Sequence, residues 1–307
     1  MTLEVLDPGL LLTVQDLGRQ GHEHLGVPRA GAADTRSLAA ANRLVGNEPG
    51  AAALEATLLG PRLRALADVE IAIAGADFEP VRLTGNRPVD GSRAIRLAAD
   101  EELGFLEAGD PDRGCRAYIA IAGGIDVPVV LGSRSTSLAG AFGGFDGRPL
   151  RAGDVLRTLP PRPVGTDEPR PGQVDRSAAG WTSEPIRILP GPAADDPDGG
   201  SERWATLLDT TWTVGLDSDR RGLRLEPPVD ARPGLGAVPA DQPSHGVVVG
   251  AIQLSPAGHP LVLMPDGGVT GGYPVIAIVV SADLPLLGQL TPGAAIHFAS
   301  ARVRLDE

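Results

Sequence analysis

The sequence predicts a mostly β protein with a few short helices, an α+β class in which strands dominate. The first observation is that 41 glycines and 29 prolines divide the chain into many short segments, as turns divide a β-rich domain. The second is that the strongest apolar segments, at 69–74 and 116–122, are short strand-like runs. No repeat of fixed period is present, which argues against a solenoid or a propeller.

Residues 13–47 form the first unit of the chain, a strand, a glycine-rich turn region and a helix. The strand-like run stops at Gln15 and Asp16. Asp34 is a favourable N-cap residue, and apolar residues after it recur on one helical face. Gly46 is typical of a helix end. The sequence therefore predicts a short helix here, with polar side chains at both of its ends.

The rest of the first half has the pattern of a succession of short strands. These are predicted at 69–74, 103–107, 116–122 and 155–159. Asp90-Gly91 and Asp146-Gly147 lie between them and carry side chains preferred in tight hairpins.

A segment rich in proline, glycine and charge, residues 161–185, predicts a linker because it has little apolar surface to bury. We therefore expect an N-terminal β domain over 1–160 and a C-terminal β domain over 186–307.

The second half has the same character as the first. A helix is predicted from about Glu202 to Asp209, with Ser201 as its cap. Strands are predicted at 186–189, 212–214, 223–225, 247–254 and 275–280. Each half is thus β-rich with one helix, and a pair of related small barrels fits the pattern.

Composition excludes several classes of protein. The net charge of −12 argues against nucleic acid or an anionic membrane as a partner, and no apolar run is long enough to span a bilayer. We expect a cytoplasmic protein, because no signal peptide precedes Leu3 and a single cysteine, Cys115, allows no internal disulfide. Cys115 precedes an apolar strand, which favours a buried, inert thiol.

Every one of the 27 basic residues counted as Lys or Arg is arginine. The absence of lysine excludes a Walker-type phosphate loop, Schiff-base chemistry and covalently attached biotin on this chain. Biotin, if it takes part in the reaction, must be carried by another polypeptide.

The first candidate site surrounds the strand–loop–helix unit. Gln15, Asp16, Arg19, Asn42 and Asn47 are polar groups able to bind a small anionic or amide substrate. The alternative is that they are turn and cap residues chosen for backbone reasons. We expect the Arg19 side chain to be an exposed loop cation with little apolar surface to cover, and the Asn47 amide to turn outward.

A second candidate is the turn after the strand at 116–122. Gly123 and Gly124 allow backbone N–H groups to converge on an anion, and Arg134 with Ser135 would complete such a cradle. The alternative is a tight turn followed by solvated polar residues.

A third candidate lies in the second half. Arg220, in a polar loop, is able to pin a carboxylate or phosphate, and Asp266 is a carboxylate in a glycine-rich loop. Gln253 should lie on the face of its strand opposite to its apolar neighbours. Thr270 and Tyr273 flank a glycine pair that permits close approach of a ligand. The alternative is an ordinary solvated loop.

The five histidines show no metal-ligand spacing with one another or with Cys115. No metal site is predicted.

Motifs along nearly the whole chain resemble, in order, the biotin-dependent carboxyltransferase / allophanate hydrolase subunit 2 family. That family includes the C-subunit of bacterial 5-oxoprolinase and the sporulation kinase-inhibitor antagonist. The motifs are TVQDLGRQGHEHLGVPRAGAADTRSLAAANRLVGN (13–47), LEAT (54–57), YIAIAGGI (118–125), LGSRST (131–136), SDR (218–220), GAIQ (250–253), TGGYP (270–274) and QLTPG (289–293).

The resemblance implies cyclophilin-like β-barrel domains and a hydrolase subunit that opens 5-oxoproline to glutamate with ATP, Mg²⁺ being left open. A subunit-B-like chain, similar to allophanate hydrolase subunit 1, would be its partner, together with a third oxoprolinase subunit. The arginines at 19, 134 and 220 are then candidates for phosphate or carboxylate. The amides at 15, 42, 47 and 253 are candidates for a small amide substrate. Asp16, Glu55 and Asp266 are candidates for base or metal-bridging roles.

Two alternatives stay open. One is a carboxyltransferase half-site for urea or a similar amide, using biotin carried by another chain. The other is a non-catalytic antagonist of a kinase-inhibitor-like partner. The antagonist is favoured by the loop 266–275, where relatives commonly carry D-R-Q-T-T-G-G-Y-P-K and this chain lacks the Arg, the Gln and the Lys.

Overall fold

In this computed structural model, the structure describes residues 2–161, 184–228, 235–236 and 243–301. The chain divides into two compact units. The first comprises Met1–His22 and Arg29–Ala179, and the second comprises Glu23–Pro28 and Gly180–Glu307. The predicted linker lies almost wholly outside the described residues, so its bounds remain a prediction.

The first unit contains eleven described strands and one α-helix. The strands are β1 (Leu3–Asp7), β2 (Leu11–Gln15), β3 (Ala53–Thr57), β4 (Arg62–Ala65), β5 (Val69–Gly75), β6 (Pro80–Arg82), β7 (Arg87–Pro88), β8 (Ile95–Leu97), β9 (Glu102–Phe105), β10 (Arg116–Ile121) and β11 (Val155–Leu156); the helix is α1 (Thr35–Leu44). They form a six-stranded sheet, β11-β1-β4-β9-β6-β7, and a five-stranded sheet, β2-β3-β10-β5-β8.

Strands β5 and β10 are buried on both faces, which explains their nearly continuous apolar sequences. One face contributes Ile71, Ile73 and Ile119 to the core shared by the two sheets. The other face presents small residues such as Ala72 and Ala120 to helix α1.

Helix α1 begins as the sequence predicts. The Asp34 carboxylate accepts hydrogen bonds from the backbone N–H groups of Arg36 and Ser37, two of the donors that a helix start leaves unpaired. The chain leaves the helix through Gly46, whose φ of 74° is left-handed.

The second unit contains ten described strands, two α-helices and two short 3₁₀ helices. The strands are β12 (Ile186–Pro190), β13 (Trp212–Val214), β14 (Gly222–Glu226), β15 (His245–Gly246), β16 (Ala251–Leu254), β17 (Pro260–Leu263), β18 (Thr270–Gly271), β19 (Val275–Val279), β20 (Ala295–Ile296) and β21 (Phe298–Ser300). The helices are α2 (Gly200–Asp209), α3 (Leu284–Leu287) and the 3₁₀ turns Glu23–Leu25 and Ser281–Asp283.

Eight of these strands form one sheet in the order β20-β13-β14-β17-β16-β19-β12-β21. Its two edge strands are consecutive in the chain and are separated by His297 alone. The sheet therefore curls into a nearly closed barrel. The mostly β prediction is confirmed, and the described ranges contain three short α-helices.

Two local predictions in this unit are wrong. Ser201 does not cap α2, because the helix starts at Gly200, two residues earlier than predicted, and Gly199, with a φ of 98°, occupies the N-cap without a side-chain bond. The predicted strand 247–254 begins only at Ala251, because a turn occupies the positions before it. None of the helices in the described ranges has the length and apolar character needed to cross a bilayer.

Candidate functional site: a cleft on the barrel of the second unit

The barrel of the second unit carries a cleft with a volume of about 310 Å³. Its floor is the outer face of three neighbouring strands, β14, β17 and β16. Its rims are the loop that precedes β14 and the glycine-rich loop around β18. The polar lining residues are Asp217, Asp219, Arg221, Arg224, Gln253, Thr270 and Tyr273.

The floor is fixed by strand register. Arg224 of β14 pairs with Leu261 of β17, and Leu261 pairs with Gln253 of β16. Residues directly opposite one another in a ladder project from the same face. A guanidinium, an apolar side chain and a carboxamide therefore lie in one row across the three strands.

The next row shows the opposite face. Leu223 pairs with Val262, and Val262 pairs with Ile252. All three side chains are buried. This alternation between a buried row and a cleft row is the period of two expected of a β-strand.

A buried ion pair connects the two rims of the cleft. The Arg220 guanidinium donates to both oxygens of Asp266, with Nε–Oδ2 at 2.9 Å and Nη2–Oδ1 at 3.0 Å. The Arg220 carbonyl also accepts the Asp266 N–H at 2.9 Å. Both side chains are almost fully buried. Their charges are engaged with each other, which does not support the predicted roles of Arg220 as a phosphate ligand and Asp266 as a base.

The cleft instead presents Arg221 and Arg224, both exposed. Within the described ranges, neither guanidinium takes part in an ion pair or a hydrogen bond. Asp219 lies on the same rim, but its Oδ1 already accepts the N–H groups of Arg221 and Gly222, at 2.7 and 3.3 Å. Asp217 and Asp219 line the same cleft, so its charged side chains balance, and an anionic ligand would be held there by direct contact with the two guanidinium groups.

Gln253 supplies the amide of the floor. Its side chain is 4% exposed, and its Nε2 donates to the Tyr273 carbonyl at 3.4 Å. Gly271 packs directly against this carboxamide, because a Cβ at that position would lie 2.6 Å from Nε2. The prediction that Gln253 faces away from its apolar neighbours agrees with the register.

The structure thus brings together Gln253, Thr270 and Tyr273 of the predicted residues. The sequence motifs favour Arg220 over Arg221 and do not select Arg224. A signal for Arg224 is nevertheless present in the alternation of residues 223–226, where charged residues follow apolar ones. The pairing of Arg220 with a residue 46 positions away has no such local signal.

The predicted polar residues of the first unit serve its own loops. The Asp16 carboxylate accepts hydrogen bonds from the Ser133 hydroxyl, the Ser135 hydroxyl and the Arg134 N–H, at 2.6, 2.5 and 2.6 Å. It thereby holds the loop at 133–135 against the end of β2. The Arg134 side chain itself is 23% exposed and lies 3.7 Å from Asp126.

The expectation that Arg19 is an exposed loop cation is wrong. Arg19 is 1% exposed, its Nη2 donates to the Ser135 carbonyl at 2.6 Å, and its guanidinium lies 4.9 Å from the centre of the Phe142 ring. The side chain is buried because the loops at 130–135 and 142 fold over it. Arg19 therefore helps to hold these loops together.

The expectation for Asn47 is also wrong. Its Nδ2 donates to the Asn42 Oδ1 and to the Ile121 carbonyl, at 2.9 and 2.8 Å, and its Oδ1 accepts the Gly123 N–H at 2.8 Å. The amide therefore points inward and fixes the turn after β10. Asn42 in turn donates to the Ala51 carbonyl at 2.8 Å.

The glycine turn does not offer its N–H groups to an anion. The Gly123 N–H is bound by the Asn47 side chain, and the Gly124 N–H donates to the Ile121 carbonyl at 2.8 Å. The predicted cradle is therefore a tight turn, the alternative interpretation of the sequence.

Glu55 lies in a buried cluster between β3, β10 and the start of α1. Its Oε2 accepts the Tyr118 hydroxyl at 2.7 Å and the Ala33 N–H at 3.0 Å, and its Oε1 lies 3.5 Å from the Arg116 Nε. Burial, with the Glu55 and Asp34 carboxylates nearby, raises the pKa of Tyr118 well above its ordinary value. A fully enclosed Glu55 has no route to a substrate in this conformation.

Two further side chains of the first unit are buried. Gln15 donates to the Thr13 hydroxyl at 3.0 Å, and its Oε1 has no hydrogen-bond partner within the described part of the chain. Cys115 is buried as expected, and burial raises the pKa of its thiol. Across the described ranges, no group of three or more His, Cys, Asp or Glu side chains is arranged to hold a metal ion.

The second unit is thus a nearly closed β-barrel with a cleft lined by arginine, aspartate and carboxamide side chains. Residues 25–300 match the family model described as carboxyltransferase domain, subdomain A and B. The chain belongs to this carboxyltransferase-domain family, as its motifs indicated.

Among individual relatives, the chain is 36% identical to the C-subunit of 5-oxoprolinase from Escherichia coli, over 96% of this chain and 90% of that protein. It is 34% identical to urea amidolyase of Lachancea kluyveri, over 96% of this chain but only 17% of that protein. The solved protein TTHA0988 superposes with a TM-score of 0.81 and 37% identity, over 97% of this chain and 56% of that one. The chain thus spans about half of that solved chain and a small part of the urea amidolyase.

Proposed function

We propose that this chain is a subunit of a hetero-oligomeric, ATP-dependent amidohydrolase of the 5-oxoprolinase type. The observation that carries the proposal is the similarity to the C-subunit of the Escherichia coli 5-oxoprolinase, which runs over nearly the full length of both chains. A match of that extent supports equivalence of whole subunits, whereas the urea amidolyase match covers a single segment of a much longer protein.

The proposed reaction converts 5-oxoproline, ATP and water to glutamate, ADP and phosphate. A lactam is a poor electrophile, and transfer of the ATP γ-phosphoryl group to its oxygen supplies a leaving group. The site then needs cations for the phosphate or the substrate carboxylate, and hydrogen-bonding groups for the amide. Arg221, Arg224 and Gln253 provide both kinds of group in one cleft.

ATP enters this reaction as a cosubstrate. Because the chain contains no lysine, a permanently charged side chain that it places at the nucleotide phosphates has to be arginine. A subunit-B-like partner, and a third oxoprolinase subunit, would complete the enzyme.

A second candidate function is a carboxyltransferase half-site that accepts the carboxyl group from biotin on another chain. The family description and the similarity to a segment of urea amidolyase favour it. The acceptor would be urea or a similar small amide.

The test is reconstitution with the subunit-B-like chain and the third oxoprolinase subunit. We expect glutamate and phosphate to be released in equal amounts from 5-oxoproline and ATP by the complete assembly, and neither by this chain alone. Carboxylated urea formed by transfer of the carboxyl group from a carrier that bears carboxybiotin, with no glutamate from 5-oxoproline, would instead establish the second function. Absence of both products from a stable assembly refutes both functions.

A further inference from the structure

We infer that the cleft of the second unit binds a small lactam or amide carboxylate, with the carboxylate at Arg221 and Arg224 and the amide at Gln253. This inference rests on the proposed function for the choice of 5-oxoproline as its ligand. The orientation and the class of ligand follow from the cleft itself.

Arg221 and Arg224 are available to bind an anionic group. Both line the cleft, both are exposed, and neither guanidinium has an ion pair or a hydrogen bond within the described ranges. By contrast, many arginines of the first unit are paired with carboxylates, as Arg148 is with Asp154 at 2.7 Å. A guanidinium fork matches a carboxylate or a phosphate in shape and charge.

The Gln253 carboxamide is available to bind the amide group of a ligand. Gln253 is almost fully buried at the cleft floor, and its one hydrogen bond within the described residues is the long contact to the Tyr273 carbonyl. A carboxamide offers one acceptor and two donors, so Gln253 keeps both an acceptor and a donor for a ligand. That pair matches the C=O and N–H of a lactam or a primary amide.

The distance between Arg224 and Gln253 suits a ligand that carries both groups. Neighbouring strands are about 4.8 Å apart, so the backbones of Arg224 and Gln253, separated by β17, are about 10 Å apart. An arginine side chain is long enough to reach across part of this distance. A five-membered lactam with a carboxylate on the ring spans such a gap, with the apolar Leu261 beneath its ring carbons.

The test is direct binding to the purified full chain, measured by calorimetry or ligand-observed NMR. Three probes separate the two contacts: 5-oxoproline, 2-pyrrolidone, which lacks the carboxylate, and cyclopentanecarboxylate, which lacks the amide. We expect 5-oxoproline to bind at least about tenfold more tightly than either of the others. Equal binding of 2-pyrrolidone overturns the carboxylate contact, and equal binding of cyclopentanecarboxylate overturns the amide contact.

Variants of the cleft residues, compared with a control variant elsewhere in the chain, test whether the ligand binds in this cleft. Arg224→Met should weaken 5-oxoproline binding about tenfold or more, whereas Arg43→Met, which removes the same charge from the exposed last turn of α1, should leave it unchanged. Gln253→Glu keeps the size of the side chain but removes the N–H that would bind the ligand carbonyl, so binding should weaken. If Gln253→Glu fails to fold, Arg221→Met provides the second test. Equal effects of Arg43→Met and Arg224→Met overturn the inference.

Binding of inorganic phosphate and of ATP, measured in the same way, shows whether the arginines bind a phosphate group or the carboxylate of 5-oxoproline. If either binds at the arginines while 5-oxoproline does not, the cleft is a phosphate site and the inference is overturned. Turnover by the reconstituted enzyme without binding to this chain refutes the cleft inference and leaves the proposed function standing. Binding to this chain without turnover by the assembly supports the cleft inference and refutes the proposed function.

Discussion

At the scale of single residues, the largest difference between sequence and structure concerns arginine. Arg19 and Arg134 both stand in loops of the first unit, and both were expected to bind an anion. Arg19 is enclosed and donates to the Ser135 carbonyl, whereas the Arg134 side chain is partly exposed and lies 3.7 Å from Asp126. Their substitutions should therefore differ in effect.

We expect Arg19→Met to reduce the free energy of unfolding by about 2–3 kcal/mol, because it leaves the buried Ser135 carbonyl without its donor and removes the contact with Phe142. Arg134→Met, the control, should change it by less than about 1 kcal/mol. Urea unfolding of both variants measures the difference. Equal midpoints would contradict the structural role of Arg19.

A second prediction at this scale concerns Tyr118. Its pKa is raised in the folded protein, so the unfolded chain loses this proton at lower pH than the folded one does. The stabilisation is complete below the ordinary tyrosine pKa of about 10 and is lost as the pH rises through the folded value. The protein should therefore lose stability in alkaline solution, and Tyr118→Phe should flatten that part of the curve.

The chain has two tyrosines, so Tyr273→Phe leaves Tyr118 as the only source of phenolate absorbance. We expect that signal to appear together with the loss of folded circular dichroism. Phenolate absorbance rising near pH 10, with the protein still folded, would refute the prediction.

At the scale of elements, the turn after β10 shows why particular glycines are required. Gly123 has a φ of 92°, and a Cβ there would lie 2.0 Å from the Leu159 carbonyl oxygen. Gly132 has a φ of 79° but open space where its Cβ would be. Substitution of Gly132 therefore tests backbone strain alone, whereas substitution of Gly123 adds steric overlap.

Gly132→Ala should cost about 1–2 kcal/mol, the usual penalty for a left-handed alanine. Gly123→Ala should cost at least about 2 kcal/mol more, because the turn or the chain segment at Leu159 must also move. Thermal and urea melts compare the two variants. Similar losses in both would mean that the turn accommodates a side chain.

The elements predicted best were those whose signal is local. Strands β5, β10 and β19 are runs of apolar residues, and α1 combines an N-cap with one apolar face, so neighbouring residues suffice to predict them. The cap of α2 is not predicted correctly, because the N-cap residue Gly199 has no side chain that could identify it as a capping residue. The burial of Arg19 depends on Ser135, more than a hundred positions away, and no local pattern encodes that contact.

In the candidate site, too, the residues with a local sequence signal are predicted and those that depend on long-range contacts are not. The glycine-rich loop with Thr270 and Tyr273 was visible as a motif, and the outward face of Gln253 followed from strand alternation. Arg224 became part of the site only when β14 and β16 were placed on either side of β17. Long-range strand pairing, which a single sequence does not reveal, decides which side chains share a cleft.

At the scale of the whole molecule, we expect a stable hetero-oligomer with the subunit-B-like chain, with two copies of each. Short edge strands such as β7 and β8 leave backbone groups to be paired, and the net charge of −12 disfavours association between identical copies. Co-expression followed by light scattering measures the mass of the assembly. A monomer of this chain beside unbound partner would refute the expectation.

The row of Arg224, Leu261 and Gln253 ties the chemistry of the cleft to the pairing of three strands, and this limits how the protein can diverge. Substitution at any of the three positions should change the ligand that we infer for the cleft, while the ladder survives. A one-residue insertion within β16 would turn Gln253 toward the barrel interior and bring an apolar neighbour into the cleft. Paralogues with new ligand preferences should therefore keep the lengths of these strands and vary at the three row positions and in the bordering loops.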